Sequence, residues 1–224
     1  MKKIDPKSID LILCDLPFNM THLKWDILIP FDQLWQQYKR IIKDRGAIVL
    51  NSKQPFTSSL IMSNPKMFKY ELIWKKKQAT NPLLCKKRPM SIHESICVFY
   101  KKQPKYNYEQ MMTEGKPYKG FHSERKKIGE VYNNLNSIHK ENKGTRYPIS
   151  ILEYAREYGL HTTQKPLQMG IDMIRLYTDE GDIVLDNACG SGTYLLSAKL
   201  TGRNYIGFEN DKKYYDIAVK RLKD

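Results

Sequence analysis

An open, doubly wound α/β sheet with mostly parallel strands is the fold this sequence predicts, and three observations predict it. Short apolar runs such as Ile9–Cys14 and Ala47–Leu50 read as buried strands. They alternate at short intervals with segments of helical apolar period such as Phe31–Lys43. A glycine turn, Gly190-Ser191-Gly192, lies between a strand-like run and a helix-like run, where an α/β sheet places a ligand at the carboxyl ends of its strands.

The elements follow in order. Ile9–Cys14 is closed by Asp15 and Pro17, a strand that ends in a turn. Phe31, Leu34, Trp35, Tyr38, Ile41 and Ile42 share one helical face, and Gly46 stands where such a helix stops. A second buried strand follows at Ala47–Leu50, then a helix at Thr57–Met62 and strands at Tyr70–Trp74 and Ile96–Tyr100. From Lys101 to Arg146 the apolar period fades and Gly, Asn, Lys and Tyr dominate, which predicts a loop-rich insertion. Regularity returns with a helix at Leu167–Tyr177, a strand at Ile183–Leu185, a helix at Thr193–Leu200, a strand at Tyr205–Phe208 and a helix at Lys212–Leu222. At 224 residues the chain supports one core with an embellishment. Its expected parts are a first half (1–100), the insertion (101–150) and a second half of the same domain (151–224).

The sequence contains no apolar run of membrane-spanning length and no signal-peptide pattern, so a soluble, cytoplasmic protein is expected. Cys14, Cys85, Cys97 and Cys189 share no metal-type spacing and read as reduced and structural. A net charge of +14 makes polyanions the natural partners. The segment from Lys75 to Arg146 holds 17 Lys and Arg against 6 Asp and Glu, so the charge is regional. A solvated basic surface would account for it as well as nucleic acid would.

Two turns carry chemistry. In the first, Ile183–Asp186 runs through Asn187 into the glycine turn and then a helix from Thr193; glycines admit close backbone approach and the helix start offers unpaired N–H donors. One helix later, Tyr205-Ile206-Gly207-Phe208-Glu209 ends in a carboxylate placed to accept from ribose hydroxyls. The third glycine of a pyrophosphate-binding turn is missing, which favours a nucleoside without phosphates, although glycines in a merely tight turn would look the same. The second turn is Asp15-Leu16-Pro17-Phe18. An exocyclic amine is a poor nucleophile because its lone pair is conjugated with the ring, and acceptors aimed at its hydrogens favour the attacking form. The Asp15 carboxylate and the Leu16 carbonyl supply two such acceptors, Pro17 stiffens the turn and Phe18 offers a stacking face. Taken by itself, an Asp and a Pro after a strand most often form a plain turn.

The ordered set of Asp15–Phe18 with Trp25-Asp26, His93-Glu94, His161–Pro166, Asp186–Thr193 and Gly207–Glu209 resembles the β-group DNA amino methyltransferases, in particular the small stand-alone methylases of phages and mobile elements. The resemblance covers essentially the whole chain and implies a Rossmann-like methyltransferase sheet, S-adenosylmethionine as cofactor and duplex DNA as substrate. It implies that Asp15, Leu16, Pro17 and Phe18 hold the target amine after base flipping. Asp186, Asn187, Gly190, Ser191, Gly192 and Thr193 would cradle the methionine end of the cofactor, Glu209 its ribose, and Thr163, Gln164 and Lys165 would close over it. The insertion would recognise DNA, with Lys101, Lys102, Arg125, Lys126, Lys127 and Arg146 on phosphates and Asn107, Asn133 and Asn134, together with Arg125, available to bases. Adenine N6 is the expected target because cytosine-N4 enzymes of this type more often carry Ser in place of Asp15. A cytosine-N4 enzyme and a catalytically impaired DNA-binding remnant are the alternatives. A C5-cytosine enzyme is disfavoured, since its nucleophilic cysteine normally follows a proline and no Pro-Cys pair occurs.

Departures accompany the matches. Leu16 replaces the usual first proline, Phe18 a tyrosine, Ala188 a phenylalanine and Thr162 a proline. Relatives carry a further strand and helix before the catalytic strand, with an acidic turn for the cofactor's adenine, and only eight residues precede Ile9. An edge strand is therefore expected to be missing. Three readings follow: a shortened chain, a second copy or other partner that completes the sheet, or weak cofactor binding. A cognate restriction enzyme is a further candidate partner.

Overall fold

A computed structural model describes residues 1–21, 23, 25–118, 142–160 and 163–223. They form two compact units, Met1–Gln110 with Ile149–Asp224, and Met111–Pro148.

The larger unit is built on a seven-stranded sheet. Its strands are β1 (Ile9–Cys14), β2 (Ile42–Ser52), β3 (Phe68–Thr80), β4 (Ser91–Phe99), β7 (Ile151–Tyr154), β8 (Ile183–Asp186) and β9 (Asn204–Gly207), in the order β7-β3-β4-β2-β1-β8-β9. The pairs β1–β2, β1–β8, β8–β9 and β3–β7 are parallel; β2–β4 and β3–β4 are antiparallel. Ile9, Leu11, Ile12, Leu13 and Cys14 are fully buried, the continuous apolar signature of a central strand covered on both faces. The helices are α1 (Phe31–Ile41), α2 (Phe56–Ser63), α3 (Leu167–Tyr177), α4 (Thr193–Leu200) and α5 (Lys212–Lys223). Leu34, Trp35, Tyr38 and Ile41 of α1, with Leu60 of α2, join the β1 and β2 side chains in the main core. On α3, Gly170 permits close contact with α4, where a Cβ would run into Ser197 and come within 2.9 Å of Tyr194.

The bounds of β1, α3 and α4 are those expected from the sequence. Strands β3 and β4 are longer than expected and pair with each other as a hairpin, continuing past their apolar centres into the charged stretches Lys75–Lys77 and His93-Glu94. Backbone pairing carries them where the hydrophobic pattern gives no signal. Strand β7 was not anticipated, because only Leu152 in it is buried. At the far end β9 is the edge strand, and its outer side pairs with no strand among the described residues.

Residues 101–110, expected in the insertion, belong to the larger unit. Asn107 anchors them: its N–H donates to the Leu176 carbonyl, and its amide donates to the carbonyls of Arg175 and Thr178 and to Asp179. The smaller unit carries β5 (Thr113–Glu114) and β6 (Thr145–Arg146), which pair antiparallel.

Candidate active site

Strand register decides which side chains meet. Because β1 and β8 are parallel, Asp15 and Asp186 leave the sheet at the same edge. Ser52, at the end of β2, faces Ser95 of antiparallel β4, so Glu94 projects there too. Trp74 of β3 faces both Glu94 and Leu152, which brings Lys76 and the chain after β7 to the same place. This carboxyl edge is where open α/β sheets bind ligands. A cavity of about 960 Å³ opens along it, lined by all four residues of the Asp15 turn, by Thr163, Gln164 and Lys165, by Asp186, Asn187, Gly190, Ser191 and Thr193, and by Glu209. The volume lies at the upper end of small-ligand pockets, generally about 300–1,000 Å³.

Sequence reasoning did not foresee a buried chain of alternating charge at one end of this cavity. Lys165 Nζ lies 2.6 Å from Asp15 Oδ2 and 3.4 Å from Glu94 Oε2, and Lys76 Nζ lies 2.6 Å from Glu94 Oε1. Lys165, expected over the cofactor, thus has its ammonium engaged by Asp15 and Glu94. Burial lifts the Asp15 carboxyl above its usual range, against the pull of Lys165. Burial acts on Glu94 in the same sense, but Lys165 and Lys76 outweigh it and hold that carboxyl low. Asp15 Oδ1 is sealed from solvent and has no hydrogen-bond partner among the described residues. Leu16 turns its side chain into the core, which accounts for an apolar residue where a proline is usual. Phe18 lines the cavity and is braced by Phe56, ring centroids 5.0 Å apart. The loop beyond is folded around Asp26, whose carboxylate accepts from the N–H groups of Asn19, Met20 and Thr21 and from the Thr21 hydroxyl. The adjacency of Trp25-Asp26 to the turn was the only sequence signal for that role.

The other end of the cavity is different. Asp186 is buried, accepts from the Ala188 N–H at 3.2 Å and has no cation beside it among the described residues, and burial pushes its carboxyl up to about 7. The Tyr38 hydroxyl donates to Asn187 Oδ1 at 2.5 Å. Gly190 and Gly192 both have positive φ, 51° and 77°, and a Cβ on Gly192 would come within 2.9 Å of Ala218. Arg221 of α5, not singled out from the sequence, donates to the Ser191 carbonyl and to the Thr193 hydroxyl and so fastens the turn from behind. Glu209 Oε2 accepts from Gly190 N–H at 2.8 Å, while Oε1 accepts from the N–H groups of Asn210 and Asp211. A carboxylate oxygen has two acceptor positions, so Oε2 retains one for a ligand hydroxyl. Gln164 pairs with Glu157, which also accepts from the Leu167 N–H at the start of α3.

The expected DNA contacts fare less uniformly. Asn107, expected to face bases, has its amide N–H groups engaged at the end of α3. Lys101 donates to the Lys39 carbonyl at the end of α1, and Lys102 lies 3.9 Å from Asp44. Both follow the carboxyl end of β4, which is antiparallel to β2, so they sit at the sheet edge opposite the cavity. In the smaller unit, the Arg146 guanidinium donates to Asn142 Oδ1 and the Lys116 carbonyl and lies over the Tyr118 ring. Arg125, Lys126, Lys127, Asn133 and Asn134 lie outside the described residues, as does His161.

A doubly wound sheet with a glycine turn after one central strand and an acidic turn after its neighbour, both opening into one cavity, defines the methyltransferase class. The chain belongs to the DNA methylase family of N6/N4 methyltransferases, whose model matches residues 9–220. It is 27% identical over 240 residues to the DNA adenine methyltransferase YhdJ of Escherichia coli, covering 99% of this chain and 79% of that protein. Among solved structures, the M1.HpyAVI–SAM complex has a TM-score of 0.64 at 23% identity, covering 96% of this chain and 89% of that one. The cytosine-N4-specific PvuII DNA methyltransferase has a TM-score of 0.71 at 16% identity, covering 100% and 82%.

Proposed function

We propose that this protein transfers a methyl group from S-adenosylmethionine to an exocyclic amine of a base in duplex DNA, and that the amine is adenine N6. The observation that carries the reading is Asp15 Oδ1, a buried acceptor without a partner among the described residues, on a carboxylate whose other oxygen is held by Lys165. A buried acceptor left unsatisfied is costly, and a donor brought by the substrate removes that cost. An extrahelical adenine stacked on Phe18 would bring its amine to this oxygen, with the Leu16 carbonyl as the second acceptor. When bound, the cofactor supplies an electrophilic methyl group on a sulfonium. Asp15 holds the amine's lone pair toward that group and takes up at Oδ1 the proton the nitrogen loses. The raised affinity of Asp15 for a proton serves the second task.

The residues at the other end fit this cofactor. Asp186 is a buried carboxylate short of a cation, and S-adenosylmethionine carries two positive charges at its methionine end. Thr193, Ser191 and the two glycines form the wall beside it, and the unfilled acceptor position on Glu209 suits a ribose hydroxyl. The relatives that methylate adenine favour adenine here, and so does Asp15. Such a protein works in the cytoplasm, where DNA and the cofactor meet, and no helix among the described residues is long and apolar enough to cross a membrane.

The test is incubation with labelled S-adenosylmethionine and a randomised duplex pool, followed by base analysis. N6-methyladenine is the expected product. N4-methylcytosine would overturn the choice of base, and an unlabelled pool would overturn the activity.

A further inference from the structure

Between β3 and β4 the chain turns through Asn81–Met90, and the connection opens with a short 3₁₀ turn, Pro82–Leu84. The turn is well fastened. Asn81 takes a left-handed conformation at φ 67°, the Leu84 and Cys85 N–H groups return to the carbonyls of Asn81 and Pro82, and the Lys87 and Arg88 N–H groups both return to Leu84. This framework presents Leu83 to solvent with 96% of its surface exposed. An isolated surface leucine is ordinary. One held in a hydrogen-bonded turn with almost its whole surface exposed is not explained by the fold.

Its surroundings supply the explanation. Asn81 and Arg88, at the two ends of the turn, line the same cavity as Asp15 and Phe18. The connection is also basic, with Lys86, Lys87 and Arg88 after Leu83 and no acidic residue from Pro82 to His93. An apolar point between cations, at the mouth of a pocket that takes a base, matches the requirement of base extrusion. Side chains such as leucine are wedged between base steps by proteins that unstack DNA, and cations beside them hold the phosphates.

The geometry points to Leu83 as the wedge that enters the duplex beside the target base and occupies the space the base vacates. This deepens the proposed function and rests on it. Leu83 touches neither cofactor nor amine, so it acts by positioning the substrate.

The experiment uses the full chain and a duplex carrying the site located by the pool experiment above, with adenine at the target position for the methylation rate and, in a separate copy, 2-aminopurine there as reporter of extrusion. Leu83→Ala is expected to lose most of the 2-aminopurine signal and to lower the methylation rate about tenfold or more on paired DNA. On a duplex in which the target lies opposite an abasic site, extrusion costs little, and the variant is expected to recover to within about twofold of the unsubstituted protein. Lys86→Ala with Lys87→Ala is expected to weaken DNA binding in a salt-dependent way without altering the ratio between the two duplexes. Unchanged signal and rate in Leu83→Ala would overturn the assignment, and so would a loss that the abasic duplex does not restore. If the unsubstituted protein methylates neither duplex, the proposed function has failed instead. Leu83 has almost its whole surface exposed, so cofactor affinity and melting temperature should match in all forms.

Discussion

The turns after β1 and β8 leave neighbouring parallel strands at the same sheet edge, and each begins with a carboxylate in a low-dielectric setting, yet they are completed differently. Asp15 carries its counter-ion within the fold, Lys165 at 2.6 Å, backed by Glu94 and Lys76. Asp186 has none among the described residues, and burial pushes its carboxyl up to about 7. A carboxylate with an internal cation keeps its charge and orientation before substrate arrives, the preorganisation that favours catalysis. One without a cation stores an unmet demand that a cationic ligand satisfies, which favours binding.

The largest expected effect separates the two ends outright. Asp15→Asn should lower the methylation rate by about a hundredfold to a thousandfold, since a preorganised electrostatic group at the reacting atom has been blunted. Cofactor affinity, measured by titration calorimetry, should be nearly unchanged; a parallel loss would mean that the two turns do not divide the work.

The converse substitution, Asp186→Asn, should abolish cofactor binding while making the free protein more stable at pH 8. The folded carboxyl titrates at about 7 against about 3.9 when unfolded. Its contribution is therefore fully present below about pH 4 and is lost as the pH rises through about 7, with an upper bound near 4 kcal/mol. Melting of the unsubstituted free protein should accordingly fall between pH 5 and pH 8 more than that of the variant. Parallel melting curves would remove the contrast.

Lys165→Met should make the first turn resemble the second. The groups near Asp15 are Lys165, Glu94 and Lys76, with Cys14 of β1, Asp186 of β8 and Tyr194 of α4. Removing the nearest cation leaves burial and the Glu94 charge, both of which raise the Asp15 carboxyl. The acid limb of the rate profile should move to higher pH. Lys165→Arg should restore part of the original profile. An acid limb that stays in place would show that Lys165 does not set the state of Asp15.

The smallest effect lies outside both turns. Asn107→Ala should cost about 1 kcal/mol of stability for each of the hydrogen bonds that the end of α3 fails to recover, read by denaturant unfolding. DNA affinity should not change, and a loss of affinity alone would return Asn107 to the recognition surface.

Periodicity and turn chemistry settled the sheet class, the bounds of β1, α3 and α4, and the position of the two turns that open into the cavity, because apolar spacing and residues such as Gly190, Gly192 and Asp15 act within a few positions of their own place in the chain. Only the tertiary structure decided what each charged residue faces. Lys165 meets Asp15 across 150 positions, Lys76 meets Glu94 across a hairpin that continues beyond its apolar signal, and Arg221 reaches back to Ser191 from the last helix. Lys101, Lys102 and Asn107 belonged to a basic stretch of sequence, yet the direction of β4 delivers them to the edge away from the cavity. Local pattern depends on which residues are apolar, whereas the pairing of charges depends on strand order and register, which long-range backbone hydrogen bonds determine.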